Sequence, residues 1–249
     1  MSMYETLAGC YDALTYDIPY EDIVLFWETV LRRFHAQPAA VLDLACGTGS
    51  LSVLLAKKGY RVIGSDLSPE MLNVAYEKAM EMEENRPFFI CQSMQKTRLA
   101  EPVDAVICCL DSLNYVTKPA DCRETMRRVY NSLTPGGVFF FDINTPYKLK
   151  GLDDQIFLDE DEDTYCVWRT EYDQKRRVCH YGMDIFLRDG NVWQRSQEEH
   201  LEYAYEPDEL QQWLQEAGFC EIRMYGDRKL RGPKPDEQRI YFAAKKESL

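Results

Sequence analysis

Three acids and two glycines carry most of the chemical information in this chain. Asp43 precedes a turn in the run Val41-Leu42-Asp43-Leu44-Ala45-Cys46-Gly47-Thr48-Gly49. Asp66 stands seventeen positions after Gly49, and Asp111 opens the stretch Asp111-Ser112-Leu113-Asn114-Tyr115. Glycines at 47 and 49 remove Cβ atoms from the turn, so a ligand can approach the backbone closely. An acid at the end of the neighbouring strand can accept hydrogen bonds from ribose hydroxyls. The combination points to a nucleoside-bearing cofactor.

The elements that must position these residues follow from periodicity. Ala40 to Leu44 is a short apolar run, the pattern of a strand covered on both faces. Leu51, Val53, Leu54, Leu55 and Ala56 resume as a helix, and Gly59 suits its end. Tyr60 to Asp66 is a second strand ending in the acid, which puts Asp66 beside the glycine turn. The full dinucleotide fingerprint wants a third glycine at position 52, where this chain has Ser52.

The stretch Asp43-x-x-x-Gly47-x-Gly49, followed by Asp66-Leu67-Ser68, resembles class I S-adenosylmethionine (SAM) dependent methyltransferases. The resemblance implies a SAM site. Asp43, Ala45, Cys46, Gly47 and Gly49 would form the family's first motif, and Asp66 and Leu67 its ribose-binding motif. It places Met71 against adenine or in the core, and brings the Met94 backbone to the adenine edge. At Ser93 the family usually has an aspartate bonding the adenine amino group; the serine is shorter and uncharged. Tyr11 or Tyr20 would meet the methionine end of SAM. Leu110 ends the fourth strand beside the donor. Asp111, Asn114 and Tyr115 would face the acceptor.

Further along, Tyr4, Tyr11 and Tyr16 mark an aromatic N-terminal stretch. Ile23, Trp27, Val30 and Phe34 form one helical face. Ser68-Pro69 opens a helix with Leu72, Ala75, Ala79 and Met82 inward. Pro87–Cys91, Val103–Leu110 and Val138–Ile143 read as strands. The stripe Cys122, Met126, Val129 and Leu133 is closed by Pro135-Gly136-Gly137. Such alternation predicts a doubly wound, mostly parallel, Rossmann-like α/β sheet of seven strands. Residues 153–163 hold seven acids and no base, which predicts a solvated or flexible run. Thr164–Tyr172, Val178–Leu187 and Val192–Tyr203 read as strands, with Asp189-Gly190 as a hairpin turn. Pro207–Ala217 is a helix, and Cys220–Tyr225 and Arg239–Lys245 close the sheet as an antiparallel hairpin. The expected organisation is one domain over 1–150 and 206–249 with a helical cover at 1–36. An antiparallel insertion over 151–205 would be a lid or a dimer surface.

Composition bounds the partners. Twenty-nine Lys and Arg against 42 Asp and Glu give a net charge of −13, which argues against nucleic acid and anionic membranes. Nine cysteines without a zinc-ligand spacing read as reduced thiols, and no metal is expected. No leader-like or bilayer-spanning run stands out, so a cytoplasmic protein is expected. The resulting expectation is methyl transfer from SAM to a small molecule. Proton acceptors among the side chains are few: His180, His200, Tyr115 and Asp111, with His35 read as structural. An NAD-dependent oxidoreductase and a non-catalytic SAM-binding protein remain alternatives at this point.

Overall fold

Strand β1 (Ala40–Leu44) is buried along its whole length, and its side chains divide between two cores. Leu42 and Leu44 face one core, and Val41 faces the other. This is the alternation of a pleated strand with helices on both sides. The computed structural model describes residues 7–248; Tyr4 lies outside them.

Around β1 the sheet is laid down by β2 (Arg61–Asp66), β3 (Phe88–Cys91), β4 (Val103–Cys108), β5 (Leu133–Asn144), β10 (Phe219–Tyr225) and β11 (Arg239–Lys246). Its order is β10-β11-β5-β4-β1-β2-β3. Strands β1 to β5 pair in parallel, and β11 runs antiparallel to both β5 and β10. The order reverses between β1 and β4, and open α/β sheets bind ligands at such a switch point. Helices α2 (Tyr20–Arg33) and α3 (Ser50–Lys57) cover one face, through Ile23, Trp27, Leu51 and Leu55. Helices α5 (Pro119–Ser132) and α7 (Pro207–Ala217) cover the other, through Met126, Val129, Leu210 and Leu214. Helix α4 (Pro69–Met80) packs on β3 and is capped by Ser68, whose Oγ accepts from Met71 N at 3.1 Å.

Two boundaries differ from the sequence expectation. Pro135-Gly136-Gly137 does not separate α5 from the next strand; it lies inside β5, which begins at Leu133. Gly136 has φ +78°, so the chain kinks there while staying in the sheet. The acidic stretch is not an unstructured run either. Gln155–Glu160 forms β6, which pairs antiparallel with β7 (Thr164–Asp173). As an edge strand it is held by its backbone ladder, which acidic side chains pointing to water do not disturb.

The remaining strands are β8 (Val178–Asp189) and β9 (Val192–Tyr203), giving an antiparallel four-stranded sheet, β6-β7-β8-β9. Its inner face packs on the N-terminal segment: Leu7 and Cys10 touch Cys166, Met183 and Ile185. That segment contains the short helix α1 (Tyr11–Leu14). Helix α6 (Pro146–Gly151) joins the two sheets, with Leu149 against Cys179 and Ala204. Among the described residues no helix is long and apolar enough to cross a membrane.

Candidate active site

A cavity of about 410 Å³ opens at the carboxyl ends of β1, β2 and β4. The turn after β1 forms its floor. Ala45 and Gly47 both adopt positive φ, +60° and +53°, and space for a Cβ is open at Gly47. Gly47 N donates to Asp66 Oδ2 at 2.9 Å, and Ser68 N donates to Asp66 Oδ1 at 2.9 Å. The Asp66 carboxylate is thereby fixed at the cavity wall with lone pairs to spare. Burial nevertheless raises its pKa.

Asp43 sits deeper, 2% exposed, and accepts from Ser52 Oγ at 2.5 Å. The residue at the place of the missing third glycine thus holds the first acid of the motif. Burial pushes the Asp43 carboxyl up to about 7, with Asp66 adding to the rise.

Most residues singled out from the sequence meet in this one cavity. Tyr20, Asp43, Ala45, Cys46, Gly47, Asp66, Leu67, Met71, Ser93, Met94, Leu110, Asp111 and Tyr115 all line it. Tyr11 lines it too. Two do not. Gly49 caps α3 with φ +75°, and a Cβ there would lie 2.8 Å from the Ala75 Cβ; it permits close packing of α3 on α4. Asn114 is fully buried away from the cavity. Its Nδ2 donates to Asn144 O and Tyr203 O, each at 3.0 Å, and its Oδ1 accepts from Asn144 N. It joins β5 to β9, because an amide has donors and an acceptor for three backbone groups at once. His180 and His200 do not line the cavity, although His200 lies edge-on to Tyr115, with ring centroids 6.1 Å apart. His35 is exposed at the end of α2.

Several lining residues had no signal in local periodicity. Arg239 donates to Asp142 through Nη1 and to Asp111 through Nη2, the latter at 2.6 Å. Asp142 also accepts from Leu110 N at 2.8 Å and Asp111 N at 3.0 Å. Leu110 and Asp111 both have positive φ, +60° and +53°, so this arginine–aspartate pair holds a strained turn in place. An acid inside the apolar run Val138–Ile143 was the readable signal: a buried charge demands a partner. Gln92 also lines the cavity, and its Nε2 is buried with no partner among the described residues. Such an orphaned donor wants an acceptor from a ligand.

The N-terminal segment lines one side of the cavity through Tyr11, Ile18 and Tyr20. Asp12 Oδ1 accepts from Thr48 Oγ1 at 2.7 Å, and Asp12 Oδ2 pairs with Lys78 Nζ at 2.5 Å. At its other end, Leu7 N donates to Glu198 Oε1 on β9 at 2.9 Å.

A family profile described as a methyltransferase domain matches residues 41–137. A protein of Geobacillus sp. (strain WCH70), provisionally named a methyltransferase, is 34% identical over 98% of this chain and 99% of its own. The chain belongs to the class I SAM-dependent methyltransferases. A solved SAM-dependent methyltransferase from Clostridium acetobutylicum ATCC 824 superposes with a TM-score of 0.87. It is 29% identical, and the alignment covers 98% of this chain and 99% of that one. The glycine/sarcosine N-methyltransferase of Aphanothece halophytica is 30% identical over 75% of this chain and 68% of its own. As a methyltransferase, the protein uses SAM as methyl donor and requires a methyl acceptor.

The cavity fits that donor on its own features. Asp43, Asp66, Asp111 and Asp121 line it against Lys118 and Arg239, and Arg239 is already bound to two acids. An excess of acids suits a donor whose sulfonium and ammonium outnumber its one carboxylate. Space is open beside the Gly47 backbone, and Gln92 Nε2 is a buried donor without a partner among the described residues, although Gln92 Oε1 accepts from Arg98 N at 3.2 Å.

Proposed function

We propose that this methyltransferase acts on a small molecule and that the cavity between Gly47 and Arg239 holds both reactants. The observation that carries this reading is the convergence of the Asp43–Thr48 turn, Asp66 and the Leu110–Asp111 turn on one cavity. Asp66 binds the ribose hydroxyls. Ala45, Cys46, Gly47 and Leu67 shape the wall along the donor, and Asp43 supports the turn from beneath. Met71, Ser93 and Met94 meet the adenine, and Gln92 donates the hydrogen bond that the serine at 93 cannot make at full reach. Tyr11 and Tyr20 cover the methionine end. Asp111 and Tyr115 face the acceptor, beside Leu110.

Bound SAM supplies an activated methyl group, transferred by in-line displacement. The chain's own contribution is positioning and exclusion of water, which accounts for much of the rate in reactions of this kind. A cavity of about 410 Å³ is in keeping with a small acceptor, as is the similarity to a relative whose name gives glycine and sarcosine as substrates. The negative charge of the chain and the absence of a membrane-crossing helix among the described residues are in keeping with a cytoplasmic site of action. The exposed apolar edge Ile156–Leu158 of β6 is the surface we assign to a second copy, if the protein dimerises.

Calorimetric titration with SAM and S-adenosylhomocysteine tests the assignment, with NADH as control. Both sulfur ligands should bind at micromolar concentration and NADH should not. Unchanged SAM affinity in an Asp66→Ala variant would remove the ribose assignment.

A further inference from the structure

A second cavity, of about 560 Å³, shares Tyr20 with the first, and Asp12, Ser50 and Lys78 line it. Thr48, on the wall of the first cavity, is bonded to two of these three. Its Oγ1 donates to Asp12 Oδ1 at 2.7 Å and accepts from Lys78 Nζ at 3.0 Å. Ser50 Oγ accepts from Lys78 Nζ at 2.8 Å and lies 3.4 Å from Asp12 Oδ1. Lys78 Nζ also pairs with Asp12 Oδ2. Ser50 opens α3, so the Asp12 carboxylate stands at a helix N-terminus between two hydroxyls and an ammonium. Those groups make an anion site, and a side chain from another segment fills it.

The donor carries one carboxylate, at its methionine end, and a charge taken into a cavity needs partners. Among the described residues, two cations line the first cavity. Arg239 is held by Asp111 and Asp142. Lys118 caps α5, on the opposite face of the sheet from α3. Lys78, by contrast, bonds the cavity wall at Thr48, and the acid it pairs with directly follows Tyr11. Of the groups in this set, Asp12 is the one that can leave. Its side chain is 42% exposed, and it lies on the short helix α1 rather than on a helix of the main sheet.

We propose that Thr48, Ser50 and Lys78 form the subsite for the donor's carboxylate, and that Asp12 is a stand-in anion which the donor displaces. This rests on the donor assignment above. The exchange swaps one carboxylate for another, so the Thr48 hydroxyl and the Lys78 ammonium keep an acceptor throughout. Asp12 passes to water, which takes over its solvation. While Asp12 is in place, the donor finds only the fraction of molecules whose subsite is free, and its apparent affinity falls by that fraction. The same competition rejects nucleosides without a carboxylate, because they have nothing with which to replace Asp12.

The test is calorimetric titration of the full-length protein with two ligands. One is S-adenosylhomocysteine; the other is its decarboxylated form, which keeps the amine and lacks the carboxylate. Asp12→Asn preserves the size of the side chain and removes its charge, and a pair this exposed contributes little to the fold. The variant should bind S-adenosylhomocysteine about 5- to 10-fold more tightly than the wild type, and the decarboxylated ligand no more tightly. Lys78→Met should bind S-adenosylhomocysteine about 10-fold less tightly and the decarboxylated ligand as the wild type does. An Asp12→Asn protein that gains nothing, or gains equally for both ligands, overturns the proposal and leaves Asp12 a fastening alone. A Lys78→Met protein that loses nothing, or loses equally for both, overturns it too. If the wild type binds neither ligand, the donor assignment itself fails, and this proposal with it.

Discussion

Arg239 reaches across 128 positions of sequence to bond Asp111, Nη2 to Oδ1, at 2.6 Å. The contact exists because β11 runs antiparallel to its neighbours. Its first residue therefore lies at the edge where the parallel strands end.

Replacing Arg239 should destabilise the protein markedly. Arg239→Met would leave Asp142, fully buried, and Asp111 without their cation. Breaking a buried pair from one side costs about 3–5 kcal/mol. Urea unfolding should show a loss in that range, and Arg239→Met with Asp142→Asn should recover part of it. A loss below about 1 kcal/mol would mean that the acids simply neutralise in place.

Removing Asp66 should weaken SAM binding without changing the fold. Hydrogen bonds to a charged group contribute about 1.5–3 kcal/mol. Asp66→Ala should therefore raise the Kd about 10- to 100-fold in calorimetry.

Gln92→Ala should weaken SAM binding by a smaller factor, about 5- to 10-fold, for one neutral hydrogen bond. Stability should hold or rise, because the orphaned donor is removed. Unchanged affinity would place Gln92 outside the donor contacts.

The protein should lose stability as pH rises from about 5 to 8. Burial raises Asp43 to about 7, and burial with Asp111 raises Glu202 to about 8. Both lie above the unfolded values near 4. Between those limits the folded state binds more protons than the unfolded state, so unfolding free energy falls with pH. Each group contributes at most about 1.4 kcal/mol per pH unit. The lowered carboxyls Asp184 and Glu237 act oppositely, but their gain is complete by pH 5. Asp43→Asn and Glu202→Gln should each flatten the profile, read by urea unfolding at pH 5, 6.5 and 8.

The central sheet was legible because its signals are local. β1, the glycine turn and Asp66 lie within one helix and one strand of each other, and periodicity alone orders them. Leu110 and Tyr115 were placed beside the reactants by the family resemblance, and both line the cavity. Arg239 was not legible, since only strand direction brings it to the cavity. Asn114 was read as facing the acceptor, whereas three backbone groups on two distant strands claim its amide. β6 was hidden because acidic residues mask a strand whose pairing is purely backbone. Glu202 was passed over as one more acid in a chain rich in them. Its period-two spacing with Glu198 and His200 carries meaning only once the buried face of β9 is known.

The N-terminal segment is fastened at Asp12 to the turn beneath the donor and at Leu7 to the strand that carries Glu198. A strap tied at both ends cannot bare one reactant while shielding the other. On the proposed assignment, donor and acceptor share one doorway. Kinetics should then be sequential, both reactants entering before either product leaves, and the strap's release should set the pace of exchange.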